Sequence, residues 1–212
     1  MAEIQQWNVQ KISRFYGTSP ALSAKVQSMH QTWNAPSQKP NTPCALGQFK
    51  GEAFAKLDVE HLPPTAQSVA MERIVIGSGL YGLLRASDAM QPYRLDMDQK
   101  LGTRGLRHFW KPRISDWLRE TLDGGPCINL ASAEYAEAID TTGIDWVDVE
   151  FWQEAGGKRK AVSVFSKQAR GLMARHLCLH PELGVDALAH FDAEDYQLDR
   201  DLSHPKRWVF VR

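Results

Sequence analysis

IVIGSGLYGLLRASDAMQPYRLDM, residues 74 to 97, is the stretch on which the reading of the fold turns. It opens with Ile74, Val75 and Ile76, a β-branched run of the kind that forms a buried strand. Gly77, Gly79 and Gly82 follow at once. Glycine at this density either turns the backbone through positive φ or lets another group approach where a Cβ would clash. The G-x-G-x-x-G spacing matches a dinucleotide fingerprint superficially, but no acidic residue closes a following strand as that fingerprint requires. A tight turn with close backbone packing is therefore favoured over a phosphate cradle. Arg85, Asp88, Tyr93 and Arg94 come next, and polar groups after a buried strand are commonly binding groups. Two readings stay open for them. Arg85 and Asp88 lock the loop by a charge-assisted pair, or Arg85 and Arg94 receive a phosphate or carboxylate.

Outward from this stretch, the pattern predicts helices and strands in mixed order. Towards the C-terminus a helix is expected over 106–122, with Leu106, Phe109, Trp110, Ile114, Trp117 and Leu118 inward and Pro112 as a kink or start. A second buried strand follows over 127–130, then a short helix over 132–139. Residues 147–152 and 161–165 alternate on either side of Gly156, Gly157 and Lys158, which predicts a hairpin. Ser166 is read as the cap of a helix running to 179, with a helical turn at 186–190 and closing strands at 196–198 and 208–211. Towards the N-terminus, helices are expected over 5–16, from Ser19 and Pro20 onward, over 45–56 with a break at Gly51, and over 66–73. Leu22, Val26, Met29 and Trp33 mark the buried stripe of the second of these, and 33–43 reads as a loop. No βαβ rhythm emerges, so the expected fold is α+β, a mixed β-sheet with packed helices, in a single domain over 1–212.

The chain has 212 residues and is 43% hydrophobic, enough for a sizeable core. Cys44, Cys127 and Cys178 are odd in number and make no CxxC, so free thiols in a reducing compartment are expected. No apolar run is long enough for a membrane span and the N-terminus carries no leader pattern, which predicts a cytoplasmic location without membrane partners. The scattered histidines form no ligand spacing, and no nucleotide or hydrolase motif occurs; neither metal nor cofactor is expected. The net charge is zero, but the charges are segregated. Residues 155–181 hold Lys158, Arg159, Lys160, Lys167, Arg170 and Arg175 and no carboxylate, whereas 133–157 hold seven acids and no Lys or Arg. Segregation of this kind gives one positive face even at zero net charge.

Several motifs in order resemble the signature of the YaaA family of bacterial proteins. They are SGLYGLLR with Asp88, QPYRL and Met97; FKG at 49–51; FW at 109–110; INLAS and EY between 128 and 135; and SKQARGLMAR at 166–175. The resemblance covers residue 19 to the C-terminus. It implies a peroxide-stress protein that binds double-stranded or branched DNA, with a helix-hairpin-helix element placed at either 74–83 or 49–51. Family members begin with a strand carrying a Ser-Pro-Ala-Lys motif, and no such segment stands in this sequence. A shortened member without that lysine is the expectation, together with no obligate protein partner.

Lys50, Gly79, Gly82, Arg85, Arg94, Lys167, Arg170 and Arg175 are the candidate nucleic-acid contacts under this reading. The alternative is an enzyme acting on a nucleobase or nucleoside-like substrate by glycosylase- or lyase-like chemistry. Its pocket would form from the 77–94 loop and Glu134, with Arg85, Asp88, Arg94 and Glu134 as candidate acid, base and anchoring groups. Ser132 and Glu134 are favoured as helix-start residues over pocket groups, and Asn129 and Tyr135 lie beside them. A closed cleft joining Arg85, Asp88, Arg94, Asn129 and Glu134 would favour the enzyme. An exposed basic surface would favour the binder.

Overall fold

The β-branched run is the first arm of a hairpin, not a strand that feeds a helix. In the computed structural model, which describes residues 1–34 and 42–212, β1 (Val75–Ser78) pairs antiparallel with β2 (Gly82–Arg85), Ser78 opposite Gly82. Ahead of it come α1 (Ala2–Gln5), α2 (Val9–Tyr16), α3 (Pro20–Thr32), α4 (Ala45–Gln48), α5 (Glu52–Leu57), a 3-10 turn (Val59–His61) and α6 (Pro64–Arg73). Most of the stretch expected to be a loop, 33–43, lies outside the described residues. Side-chain caps set two of these helices. Asn8 accepts from the Lys11 N–H, and Ser19 accepts from the Leu22 N–H with Pro20 at the first position.

The buried face of α3 differs from the stripe expected. Ser23, Val26 and His30 are buried, and Leu22 is 40% exposed. The reason is tertiary. Ser23 Oγ bonds the Ser19 carbonyl at 2.9 Å and His30 meets the backbone of Arg94, so polar groups with partners displaced apolar ones without them.

After the hairpin come a small ribbon of β3 (Lys100–Leu101) and β4 (Arg104–Gly105), then α7 (Leu106–Leu122), which runs unbroken through Pro112. Phe109, expected inward, is 40% exposed. Then β5 (Pro126–Asn129), α8 (Ala133–Ala136), β6 (Asp145–Ala155), β7 (Lys158–Lys160) and α9 (Ser163–Leu179) follow. A 3-10 stretch (Pro181–His190), another (Ala193–Asp195), β8 (Gln197–Leu198) and β9 (Arg207–Val211) close the chain. The sheet has the order β5-β6-β9-β8, with β7 added to β6. Its β5/β6 and β6/β9 pairs are parallel and its β8/β9 and β6/β7 pairs antiparallel. The α+β fold with a mixed sheet is as the sequence pattern predicts.

Two boundaries move. The hairpin's second arm is Lys158–Lys160, not 161–165, and α9 starts at Ser163, not Ser166. Ser166 is buried inside the helix, where its hydroxyl donates to the Phe151 carbonyl at 3.1 Å and ties α9 to β6.

The core explains where α9 sits. Val147, Val149 and Phe151 alternate inward along β6, and Phe151 meets Phe191, Tyr196 and Phe210 at ring distances of 5.9, 5.2 and 5.5 Å. Ala169 and Met173 of α9 close this cluster. Each large side chain fully buried here contributes roughly 1.5–3 kcal/mol. The opposite side of α9 crosses α5, and a Cβ on Gly171 would stand 2.0 Å from the Ala53 carbonyl oxygen. A second cluster, with Ile76 and Leu84 of the hairpin against Ala66 and Ala70 of α6, holds the glycine turn in place.

Candidate functional site

The glycine turn is packed on several sides. A Cβ on Gly77 would lie 2.7 Å from the Tyr135 ring, on Gly79 2.2 Å from the Leu95 carbonyl oxygen, and on Gly82 2.6 Å from the Trp110 ring. Only Gly82 among the three has positive φ, at +79°; Gly79 is glycine for close approach, not for a left-handed turn. Trp110 Nε1 donates to the Gly79 carbonyl at 2.9 Å. Ser78 Oγ accepts the Tyr81 N–H at 2.9 Å and bonds the Tyr93 hydroxyl at 2.6 Å. The favoured reading, a tight turn with close packing, is the one found. A helix-hairpin-helix at 74–83 is not, because the turn joins two strands. The other placement, 49–51, does lie between helices, α4 and α5, with Lys50 exposed.

Past the turn, Arg85 and Asp88 stay together, while Tyr93 and Arg94 turn to other partners. Asp88 Oδ2 accepts the backbone N–H of Arg85 at 2.7 Å, and the Arg85 guanidinium lies 5.6 Å from the centre of the Trp117 ring. The expected buried Arg85–Asp88 ion pair is absent, because a backbone donor three residues away is nearer to hand than an exposed guanidinium. Arg94 points to the N-terminal helices. Its carbonyl accepts the Tyr16 hydroxyl and its guanidinium sits 5.4 Å from the Tyr16 ring. His30 Nε2 lies 3.1 Å from the Arg94 carbonyl and 3.3 Å from the Arg94 nitrogen, so one tautomer donates and the other accepts. Burial lowers the pKa of His30 and pushes that of the Tyr93 hydroxyl up to about 12.

Glu134, in the first turn of α8, senses Asp98, Asp96, Lys167 and Arg107. Burial first, then Asp98 and Asp96, raise its pKa, while Lys167 and Arg107 pull it down. Ser132 precedes α8 without a side-chain cap. Asn129 is fixed structurally, donating to Asp148 Oδ1 at 2.9 Å and accepting the Ala131 N–H at 3.0 Å. Of the five groups expected in one closed cleft, Arg85 and Asp88 remain together, while Arg94 and Asn129 take partners elsewhere.

The basic stretch divides in two. Arg159 pairs with Glu154 at 2.6 Å and Asp199 at 2.7 Å. Arg175 donates to the carbonyls of Leu57, Asp58 and His61 at 3.0, 2.9 and 3.3 Å, closing the end of α5. Both therefore serve the fold, Arg159 through Glu154 across the hairpin and distant Asp199, Arg175 through the carbonyls that close α5. Lys158, Lys160 and Lys167 are exposed and form no ion pair among the described residues. Arg170 is half-buried, its Nε is buried without a hydrogen-bond partner, and desolvation lowers its pKa.

An open cleft of about 260 Å³ lies between β2 and α7, lined by Leu83, Arg85, Asp88, Trp110, Arg113, Ile114 and Trp117. Arg113 escaped the sequence reading, although its spacing from Trp110 and Trp117 puts all three on one helix face. Among the described residues, no group of three or more His, Cys, Asp and Glu could hold a metal ion. No described helix is long and apolar enough to cross a membrane.

Comparison with known proteins agrees with the motif reading. A family model described as peroxide stress protein YaaA matches residues 1–202. UPF0246 proteins of Variovorax paradoxus and Polaromonas sp. are 37% and 38% identical over 99% of this chain, which spans 83% and 84% of their length. A UPF0246 protein of Francisella philomiragia is 30% identical over the same share of this chain.

Proposed function

Because the chain belongs to the peroxide stress protein YaaA family, we propose that it is a cytoplasmic DNA-binding protein of the peroxide-stress response, holding double-stranded or branched DNA by its phosphates. The observation that carries this reading is Arg170. A guanidinium that is partly desolvated and finds no carboxylate or carbonyl among the described residues has lost hydration without a replacement. Its terminal nitrogens, which are not buried and hold no bond among the described residues, are left to take a phosphate oxygen in charge-assisted form. Lys167 stands one turn away on α9, and exposed Lys158 and Lys160 precede the helix. Together these make a short positive track. Lys50, in the link between α4 and α5, extends the reading to a helix-hairpin-helix, since α5 is the helix that α9 crosses at Gly171. Phosphate contacts position a duplex without reading its bases, so little sequence preference is expected.

The test is a titration of labelled duplex DNA by fluorescence anisotropy at low ionic strength. Arg170→Ala should weaken binding about tenfold or more, the worth of a charge-assisted hydrogen bond, with the fold intact by circular dichroism. Equal affinity in parent and variant would overturn the reading. The alternative, an enzyme on a nucleobase or nucleoside-like substrate, draws on the raised pKa of Glu134 beside Lys167. It has less support, because Arg94 and Asn129 take partners away from Arg85 and Asp88.

A further inference from the structure

The cleft between β2 and α7 is a second concentration of chemistry, separate from the α9 track. Alternation along β2 turns Leu83 and Arg85 towards α7 while Leu84 enters the core on the other face. Trp110, Arg113, Ile114 and Trp117 recur at helical spacing on the facing side. The result is a depression with indole walls, an apolar floor and two guanidinium groups. Neither Arg85 nor Arg113 has an ion pair among the described residues. Arg85 lies 5.6 Å from the Trp117 ring, and Arg113 lies 4.5 Å from the Phe109 ring with its Nη1 donating to the Phe109 carbonyl at 2.9 Å and its other nitrogens left open. Asp88 spends one carboxylate oxygen on the Arg85 N–H, and its other oxygen remains an acceptor at the cleft.

We propose that this cleft binds a nucleoside monophosphate unit, with the base against the indoles and the phosphate on Arg85 and Arg113. Three features select that chemistry. Indole faces take any base by stacking, and a guanidinium beside the stack adds cation–π attraction. Two guanidinium groups outweigh one carboxylate, so an anion is favoured over a cation. The free Asp88 oxygen accepts from an exocyclic amine or a sugar hydroxyl. A volume of about 260 Å³ falls just below the range of roughly 300–1,000 Å³ for small-molecule sites and suits one base, not a stacked pair. A free nucleotide and an unpaired nucleotide at a strand end or branch share this chemistry. The inference does not depend on the α9 track.

Isothermal titration of the full chain with deoxyadenosine monophosphate, inorganic phosphate and a single-stranded oligonucleotide tests it. Deoxyadenosine monophosphate should bind, and Arg113→Ala, at an exposed position, should lower that affinity about tenfold or more. Trp117→Phe should weaken it less, through a smaller stacking area. Much tighter binding of the single strand assigns the site to an unpaired nucleotide, and equal binding assigns it to a free one. Inorganic phosphate bound as tightly as the nucleotide, affinity unchanged in Arg113→Ala and Arg85→Ala, or no binding of nucleotide and strand would each overturn the proposal. Blunt duplex titrated in parallel reports on the α9 track alone, so the two readings fail separately.

Discussion

Replacing Gly171 by alanine should separate two helices that the sequence alone does not show to be in contact. In the middle of α9 a glycine costs about 1 kcal/mol relative to alanine, so by helix propensity the substitution should stabilise. The crossing with α5 reverses that sign. The new Cβ would stand 2.0 Å from the Ala53 carbonyl oxygen, against an ordinary carbon–oxygen contact of about 3.3 Å, so the helices must part by about 1.3 Å. The obstacle is backbone, with Lys56 Cβ also at 2.9 Å, and neither can swing aside as a flexible side-chain end would. Overpacking of this kind costs about 1–3 kcal/mol, and the upper end applies; less the propensity gain, the net loss is about 2 kcal/mol. For a chain of this size that lowers Tm by about 4–8 °C. Differential scanning fluorimetry against the parent reads the shift. Gly47→Ala is the control: it lies in α4, and its Cβ would meet only Cys44 Sγ at 3.6 Å, so Tm should hold or rise. A Gly171→Ala chain as stable as the parent would refute the close crossing of α5 and α9.

Other consequences are independent of that one. Arg175→Ala should cost about 2 kcal/mol in urea melts through the carbonyls of Leu57, Asp58 and His61, yet leave the salt dependence of DNA binding nearly unchanged; a large change in salt slope would place Arg175 on the track after all. Asp88→Ala should cost about 1 kcal/mol by releasing the Arg85 N–H, whereas Arg85→Ala should cost little, since the two side chains are not an ion pair; equal and large losses would contradict this. His30 and His176 both have pKa values lowered by burial below the ordinary 6.5, so the unfolded chain binds protons that the native one refuses. Stability should then be full above about 6.5 and fall as pH drops towards the native pKa values. Exposed His61, raised by Asp58, acts weakly and above that window, its stabilisation being present below about 6.5 and fading as pH rises towards its raised native value. His30→Gln should flatten the profile, and a slope unchanged by it would sink the assignment.

How far the sequence could be read follows from which forces are local. α7 and the body of α9 were legible because the apolar period of each runs over many turns and ends at a glycine pair or a proline. β6 was legible from its alternation, and the ordered motifs from SGLYG to ARGLM gave a family that the matching family model bears out. The β1/β2 hairpin was not. GLLR lacks β-branched residues, so nothing in its composition marks a strand. Its pairing comes instead from Gly82 at positive φ returning the chain onto β1. The buried face of α3 was missed for a related reason, because His30 is held by the backbone of a residue 64 positions away. Gly171 carries no such signal in the sequence, since the carbonyl it accommodates belongs to α5. Among site residues, the fold-serving role of Arg175 and the partnerless state of Arg170 look alike in sequence. They differ only in what the rest of the chain brings to them.

The central claim, phosphate binding by the α9 track, is tested most directly by the salt dependence of duplex affinity. Neutralising roughly four to six phosphates predicts a log–log slope of about −4 to −5 for the parent chain. Lys167→Ala with Arg170→Ala should make that slope shallower by about 2, near one unit for each phosphate no longer neutralised, while urea melts stay close to the parent's. A parent slope near zero, or a slope untouched by the double substitution, would contradict the account.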